Sequence, residues 1–299
     1  MPASSPTLLV TGAAGQLGRR VVELLLESHR GPLVVTTRHP EKLAALAARG
    51  VTVRQADFDA PATLDAAFAG ADRLLLISTD SLDVPGRRVV QHRNAVEAAK
   101  RAGARHVVYT SLTRPEPDSP ITLAADHWAT EQALQQSGLG YTVLRNNVYA
   151  EMLLHSLPQA VAAGQLVSAT GTGTTAYVTR EDCARTAAAA LAATFDGKRT
   201  LDVTGPAAVS HADLARLASE LSGRPVQWTP VDVAALEQGM VSHGVPAPLA
   251  RALASFDVAV AQGRMGDVAG TVTELSGRAP TSVATFLAAH RDALRGATR

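Results

Sequence analysis

The stretch Leu8-Leu9-Val10-Thr11-Gly12-Ala13-Ala14-Gly15-Gln16-Leu17-Gly18 decides the fold. An apolar run ends in a glycine-rich turn. A helical pattern with apolar Leu17, Val21, Val22, Leu24 and Leu25 follows at once. Strand, glycine turn and helix in that order suit a dinucleotide pyrophosphate. Gly12 permits the tight turn, Gly15 lets the backbone approach phosphate, and Gly18 lets helix and strand pack closely. The helix start offers N–H groups and a positive dipole end to the anion. Ala13, Gln16 and Leu17 complete the expected contact loop. The spacing is G-x-x-G-x-x-G, not the commoner G-x-G-x-x-G, so the flanking strand and helix give the motif its weight.

The rest of the chain bounds what can be built around this turn. With 299 residues it suits one large domain or two unequal ones. No apolar run approaches the roughly 20 residues of a membrane span. Residues 1–7 lack a basic region followed by an apolar core, so no secretory leader is expected. Cys183 is the single cysteine. With no partner for a disulfide or a thiolate zinc site, it fits a reducing cytoplasm. The net charge of +1 and dispersed basic residues leave no footprint for nucleic acid. The nine histidines show no ligand pairing. Glu151 and His155 lie one helical turn apart, which is too little for a metal site. No metal, nucleic-acid or membrane partner is expected; a homodimer is left open.

Short β-rich runs alternate with helical patterns in the first half. Strands are expected at 7–10, 33–37, 52–55, 73–77, 106–110 and 141–144. Helices are expected at 16–28, 40–48, 61–68, 85–102 and 123–137. That alternation predicts an α/β fold, a Rossmann-type doubly wound parallel sheet. Residues 1–150 form the expected nucleotide domain. Residues 151–299 form a smaller, mostly helical substrate-binding part, with about 176–204 returning to the first domain. Helices are expected there at 150–163, 180–194, 211–222, 233–243, 248–260 and 282–294, with a strand at 198–203. Residues 171–174 (Gly-Thr-Gly-Thr) suggest a turn or mobile loop. The second part is expected to close a cleft at the carboxyl edge of the sheet, where open α/β sheets bind ligands. Residues 230–270 carry no interpretable motif.

The second strand ends in Thr37-Arg38, with no carboxylate for a ribose 2′-hydroxyl. A guanidinium there can pair with a 2′-phosphate, and Thr37 can add a donor, so NADPH is the expected cofactor. A solvated surface arginine is the plainer alternative. After the third strand, Asp57 can accept from the adenine amine and Phe58 can cover the ring. Asp57 could instead cap the turn before the next helix. Ile77 and Ser78, at the end of the fourth strand, are expected beside the nicotinamide ribose.

These features together resemble the atypical, NmrA-like branch of the short-chain dehydrogenase/reductase superfamily, and within it the bacterial NADPH:quinone oxidoreductase 2 type, with triphenylmethane dye reductases nearby. The likeness rests on the glycine turn and on Val53-Arg54-Gln55-Ala56-Asp57 and Leu74-Leu75-Leu76-Ile77-Ser78. It continues through Gln91-His92-Arg93-Asn94, Ala98-Ala99-Lys100, Tyr109-Thr110-Ser111-Leu112 and Leu123-Ala124 with His127 and Glu131. It ends at Tyr141-Thr142-Val143-Leu144-Arg145-Asn146 with Tyr149 and Glu151. The resemblance implies an NADPH-binding fold and activity on quinones. Its relatives often carry asparagine after the glutamate at 151, where this chain has Met152.

The superfamily's Tyr-x-x-x-Lys relay is missing. Four residues after Tyr109, Tyr141, Tyr149 and Tyr177 stand Thr113, Arg145, Leu153 and Glu181. The only lysines are Lys42, Lys100 and Lys198. Aligned through Glu131, the tyrosine and lysine positions hold Leu123 and His127. Without that relay, reduction of an ordinary ketone to an alkoxide is disfavoured. A quinone accepts hydride to give a phenolate whose parent acid has a pKa of about 10, against roughly 15.7 for bulk water. A strong general acid then matters less than positioning and donors toward the developing oxyanion.

His127 is a candidate for holding the nicotinamide ribose or donating to substrate; the alternative is a helix histidine satisfied by Glu131. Asn146 and Asn147 can fix the carboxamide or act in the site, or serve as turn residues. Tyr149 can line the cleft and donate a proton, or simply pack. Thr110 and Ser111 can reach ribose or substrate, or cap the following turn. His92 and Asn94 suggest structural roles, and Cys183 suggests packing. The expected function is a cytoplasmic NADPH-dependent oxidoreductase passing hydride to a quinone or similar conjugated acceptor. The rivals are a non-catalytic NADP(H) sensor of the NmrA type and a reductase acting on an aromatic polyketide.

Overall fold

The computed structural model describes residues 5–81 and 84–295. The chain runs β1 (Leu8–Val10), α1 (Gln16–Ser28), β2 (Leu33–Thr37), α2 (Ala44–Ala47), β3 (Thr52–Gln55), α3 (Ala62–Phe68), β4 (Arg73–Leu76) and α4 (Arg87–Arg101). It continues through β5 (His106–Leu112), α5 (Ala124–Ser137), β6 (Gly140–Asn146), α6 (Leu153–Ala163), β7 (Gln165–Ser168), β8 (Thr174–Thr175) and α7 (Arg180–Ala192). Then come β9 (Lys198–Val203), β10 (Val209–Ser210), α8 (His211–Ser222), β11 (Gln227–Pro230), α9 (Val233–Ser242), α10 (Ala247–Ala261), α11 (Thr271–Ser276), α12 (Val283–Ala289) and α13 (Arg291–Leu294).

Seven strands form one sheet in the order β3-β2-β1-β4-β5-β6-β9. The pairs β3–β2, β2–β1, β1–β4 and β4–β5 are parallel. In register, Val10 lies between Val35 and Leu75. Every residue of β1, β2 and β4 is buried, as expected for strands covered by helices on both faces. The order reverses between β1 and β4, so the glycine turn leaves the sheet at its topological switch point.

Two compact units interleave along the chain. One comprises 1–112, 126–145 and 183–201; the other comprises 113–125, 146–182 and 202–299. The second unit has its own apolar cluster, including Leu153, Leu157, Leu214, Phe286 and Leu287. It contains two small strand pairs, parallel β7–β11 and antiparallel β8–β10.

Several local expectations need correction. The helix predicted at 40–48 is a 3-10 turn, Pro40–Leu43, followed by one turn of α2. The helix predicted at 282–294 breaks at His290, whose ring sits over Phe286 with centroids 4.4 Å apart. Residues 165–168 and 227–230 pair as strands that periodicity did not reveal, because each contributes four residues only. Thr174, read as loop, pairs with Ser210. Just before it, Gly173 lets the chain pass close to α10: an added Cβ would lie 2.0 Å from the Val260 carbonyl oxygen.

The buried cation Arg73 ties the middle of the sheet to α7. It is 2% exposed. Its Nε donates to the Leu191 carbonyl at 2.8 Å and its Nη2 to the Ala190 carbonyl at 3.3 Å. Nη1 donates to Asp196 at 2.5 Å. The guanidinium therefore caps the last carbonyls of α7, where a positive charge is favoured. Arg73→Met, which keeps the apolar stem, should lower stability by about 2–4 kcal/mol in urea unfolding, because buried carbonyls lose their donors.

Candidate nucleotide and active site

Gly12 adopts φ +62°, a conformation that side chains with Cβ rarely take. The helix then passes so close that a Cβ on Gly18 would meet the Gly12 carbonyl oxygen at 2.3 Å. Gly15 stands at the start of α1 in extended conformation, with no side-chain cap. The first turn of α1 carries no acidic residue. Ala13 and Leu17 are buried while Gln16 is exposed. An uncapped helix start beside a glycine turn is a fitting cradle for pyrophosphate.

Arg38, just past β2, is exposed and makes no ion pair or hydrogen bond among the described residues. Thr37 Oγ1 accepts from the His39 N–H at 3.1 Å, which leaves its own proton to give. Asp57 Oδ1 accepts from the Asp59 N–H at 3.0 Å, so one oxygen forms the turn that was its alternative reading. Phe58 packs partly buried on the core, and its carbonyl accepts from Asn94 at 2.9 Å.

Three successive amides leaving β4 donate to side chains. Ile77 N–H donates to Thr11 Oγ1 at 3.0 Å, Ser78 N–H to Thr110 Oγ1 at 2.9 Å, and Thr79 N–H to His92 Nε2 at 3.0 Å. Ser111 donates to Glu131 at 2.6 Å, and Arg145 grips the same carboxylate at 2.7 Å and 3.0 Å. Glu131 thus serves Ser111 and Arg145, not His127.

His127 lies in α5 with both ring nitrogens engaged. Arg88 Nη2 is 3.2 Å from Nε2 and the Tyr109 hydroxyl is 2.9 Å from Nδ1. Burial, and then the positive charge of Arg88, hold the pKa of His127 well below the usual range. Burial pushes the Tyr109 phenol up. No mobile proton of ordinary acidity resides in this pair.

Asn146 closes β6. Its Nδ2 donates to the Tyr149 hydroxyl at 3.3 Å, while its buried Oδ1 has no partner among the described residues. Asn147 spends its amide on backbone, donating to the Met265 carbonyl at 2.9 Å and accepting from Val148 N–H at 2.8 Å. Tyr149 is half-buried, with the Arg180 guanidinium 5.4 Å from its ring centre. The sequence reading did not single out Thr11, Arg88, Tyr109 or Thr130. A signal existed: His127, Thr130, Glu131 and Leu134 recur at helical spacing and lie within the buried stripe of α5.

Two consequences can be measured. Gly18→Ala should abolish nucleotide binding or folding, since the opposing atoms are backbone; a tight nucleotide complex of that variant would refute the close approach. Acidification should also destabilise the fold. Burial and Arg88 hold the pKa of His92 down to about 3. The unfolded chain takes up that proton near pH 6.5, so stability falls below 6.5 and the loss levels off near pH 3. At pH 5, His92 alone should remove about 2 kcal/mol relative to pH 7. Urea midpoints at the two pH values test this.

Comparison with known proteins places these features in a family. A family model described as NAD(P)H-binding matches residues 12–194. Quinone oxidoreductase 2 of Escherichia coli is 38% identical over 278 residues, 93% of this chain and 96% of that protein. NAD(P)H azoreductase of Xenophilus azovorans is 31% identical, covering 97% and 100%. The crystal structure of the NADPH-dependent quinone oxidoreductase from Escherichia coli with NADPH matches with a TM-score of 0.89 at 37% identity, covering 95% of this chain and 99% of that one. Triphenylmethane reductase from Citrobacter sp., in complex with NADP(H), matches with a TM-score of 0.86 at 33% identity, covering 94% and 99%. An NmrA-like oxidoreductase of Aspergillus flavus is 29% identical over 91% of each chain. With the glycine cradle and the switch-point turn, this chain belongs to the NAD(P)H-binding, NmrA-like branch of the short-chain dehydrogenase/reductases.

Proposed function

We propose that this protein is an NADPH-dependent oxidoreductase that passes hydride to a quinone or a similar conjugated acceptor, without a Tyr-x-x-x-Lys relay. The observation that carries the reading is the state of His127. Both of its ring nitrogens are engaged, one by Arg88 and one by the Tyr109 hydroxyl, and burial holds its pKa well below the usual range. With both nitrogens committed, the imidazole has no N–H left to give an alkoxide. It suits an acceptor whose reduced form is stable as a phenolate. The relatives named as quinone oxidoreductase and azoreductase support the same class of acceptor.

The residues divide the work of binding. Gly12, Ala13, Gly15, Gln16, Leu17 and Gly18 form the pyrophosphate cradle. Arg38 and Thr37 take the 2′-phosphate, and Asp57 and Phe58 border the adenine. Ile77, Ser78, Thr110, Ser111 and His127 border the nicotinamide ribose, and the unpartnered Oδ1 of Asn146 suits the carboxamide amine. When bound, NADPH supplies the hydride. Tyr149, whose hydroxyl accepts from Asn146, directs its proton toward the acceptor oxygen. Asn147, with its amide committed to backbone, acts as scaffold for this segment. A small-molecule substrate is the partner this implies. Among the described residues no helix is long and apolar enough to cross a membrane, and a cytoplasmic location is our reading.

NADPH oxidation with benzoquinones and naphthoquinones tests the proposal. Arg38→Ala should raise the KM for NADPH about tenfold or more with little change in kcat, since a charge-assisted contact to phosphate is lost. Tyr149→Phe should lower kcat by less than the about 100-fold typical of an essential general acid. Tight NADPH binding with no turnover of any acceptor would refute catalysis and favour a sensor.

A further inference from the structure

We propose that His92 is a positioning residue for the β4 exit loop, locked as its Nδ1–H tautomer between a threonine of α5 that must accept and a backbone amide that must donate. The inference rests on the reading of residues 77–79 as part of the cofactor site.

The direction of the chain follows from donors that cannot reverse. Arginine has no acceptor, so Arg88 Nη2 donates to His127 Nε2. A neutral His127 must then carry its proton on Nδ1 and donate to the Tyr109 hydroxyl. Thr130 gives its proton to the Asp126 carbonyl at 2.8 Å, so it can only accept from its other neighbours. One of those is His92 Nδ1 at 2.9 Å. The far end fixes His92 independently, because a backbone N–H is a donor: Thr79 N–H to Nε2, at 3.0 Å, requires a bare Nε2. Both ends give the same tautomer, and no bond conflicts with another.

Burial gives the chain its stiffness. His92, Tyr109 and Thr130 are completely buried, and Arg88 and His127 nearly so. Arg88 also faces Asp126 at 3.8 Å. Thr79 adds a second anchor, its hydroxyl donating to Gln91 at 2.7 Å. The other two amides of the exit loop rest on threonines, whose hydroxyls rotate freely between donor and acceptor. Only the third rests on a group whose accepting state must be set elsewhere. His92 therefore couples α4 and α5 to the loop.

The test uses the full chain. Imidazole 15N NMR should find His92 and His127 as Nδ1–H tautomers; a proton on Nε2 of His92 would overturn the proposal. His92→Phe should accelerate amide exchange at 77–79 and raise the Kd for NADPH about tenfold, for the loss of one buried acceptor. His92→Gln, which keeps an acceptor near the Nε2 position, should recover most of both. Thr130→Val, which removes the acceptor for Nδ1–H, should act in the same sense if His92→Phe does not fold. Unchanged exchange and Kd in a folded His92→Phe or Thr130→Val protein would overturn it. If the wild type shows the tautomers and the exchange pattern but fails to bind NADPH, the cofactor reading falls and the loop-holding role stands.

Discussion

A missing methyl group governs this protein. The backbone of α1 passes the Gly12 carbonyl at a distance that leaves no room for a Cβ at residue 18. That approach puts the start of α1 directly over the end of β1, at the point where the strand order reverses. The helix start can then stay uncapped, because its polar groups face a place where an anion belongs. The buried strands β1, β2 and β4 hold the turn rigidly from below, and the loops after β2, β3 and β4 leave the same edge of the sheet.

Above that frame lies a layer that protein cores seldom contain. The buried residues of α5 are Ala124, His127, Thr130, Glu131, Leu134 and Ser137, so four of six are polar, and Ser137 donates to the Leu134 carbonyl at 2.7 Å. Each finds partners: His127 with Arg88 and Tyr109, Thr130 with His92 and Asp126, Glu131 with Ser111 and Arg145. Polar groups sequestered this way are costly when any one is left unmatched, so the layer behaves as a unit.

The first six strands and α1 were legible in the sequence because apolar runs, glycine breaks and helical spacing agreed with one another. The glycine turn was legible for the same reason. The polar layer was less so. A helix whose buried face is histidine, threonine and glutamate shows no apolar periodicity, and hydrogen-bond partners such as Arg88 and Tyr109 lie far away in sequence. Glu131 looked like the partner of His127 at one helical turn, yet an arginine and a serine compete better for a carboxylate. Strands β7 and β11 escaped notice because four-residue pairs depend on a neighbour more than 60 positions away.

Arg73 has a kinetic consequence. The residues that receive its guanidinium lie 117 to 123 positions later in the chain. During synthesis at about 5–20 residues per second, those acceptors emerge roughly 6–25 seconds after the strand that needs them. In that interval β4 carries a charged side chain that has nowhere to be buried. The central strand of the sheet therefore cannot settle into its final environment from local contacts alone. Loop closure over such a separation is slow compared with helix formation. The nascent nucleotide-binding half must wait in an open form until α7 and Asp196 arrive to complete it.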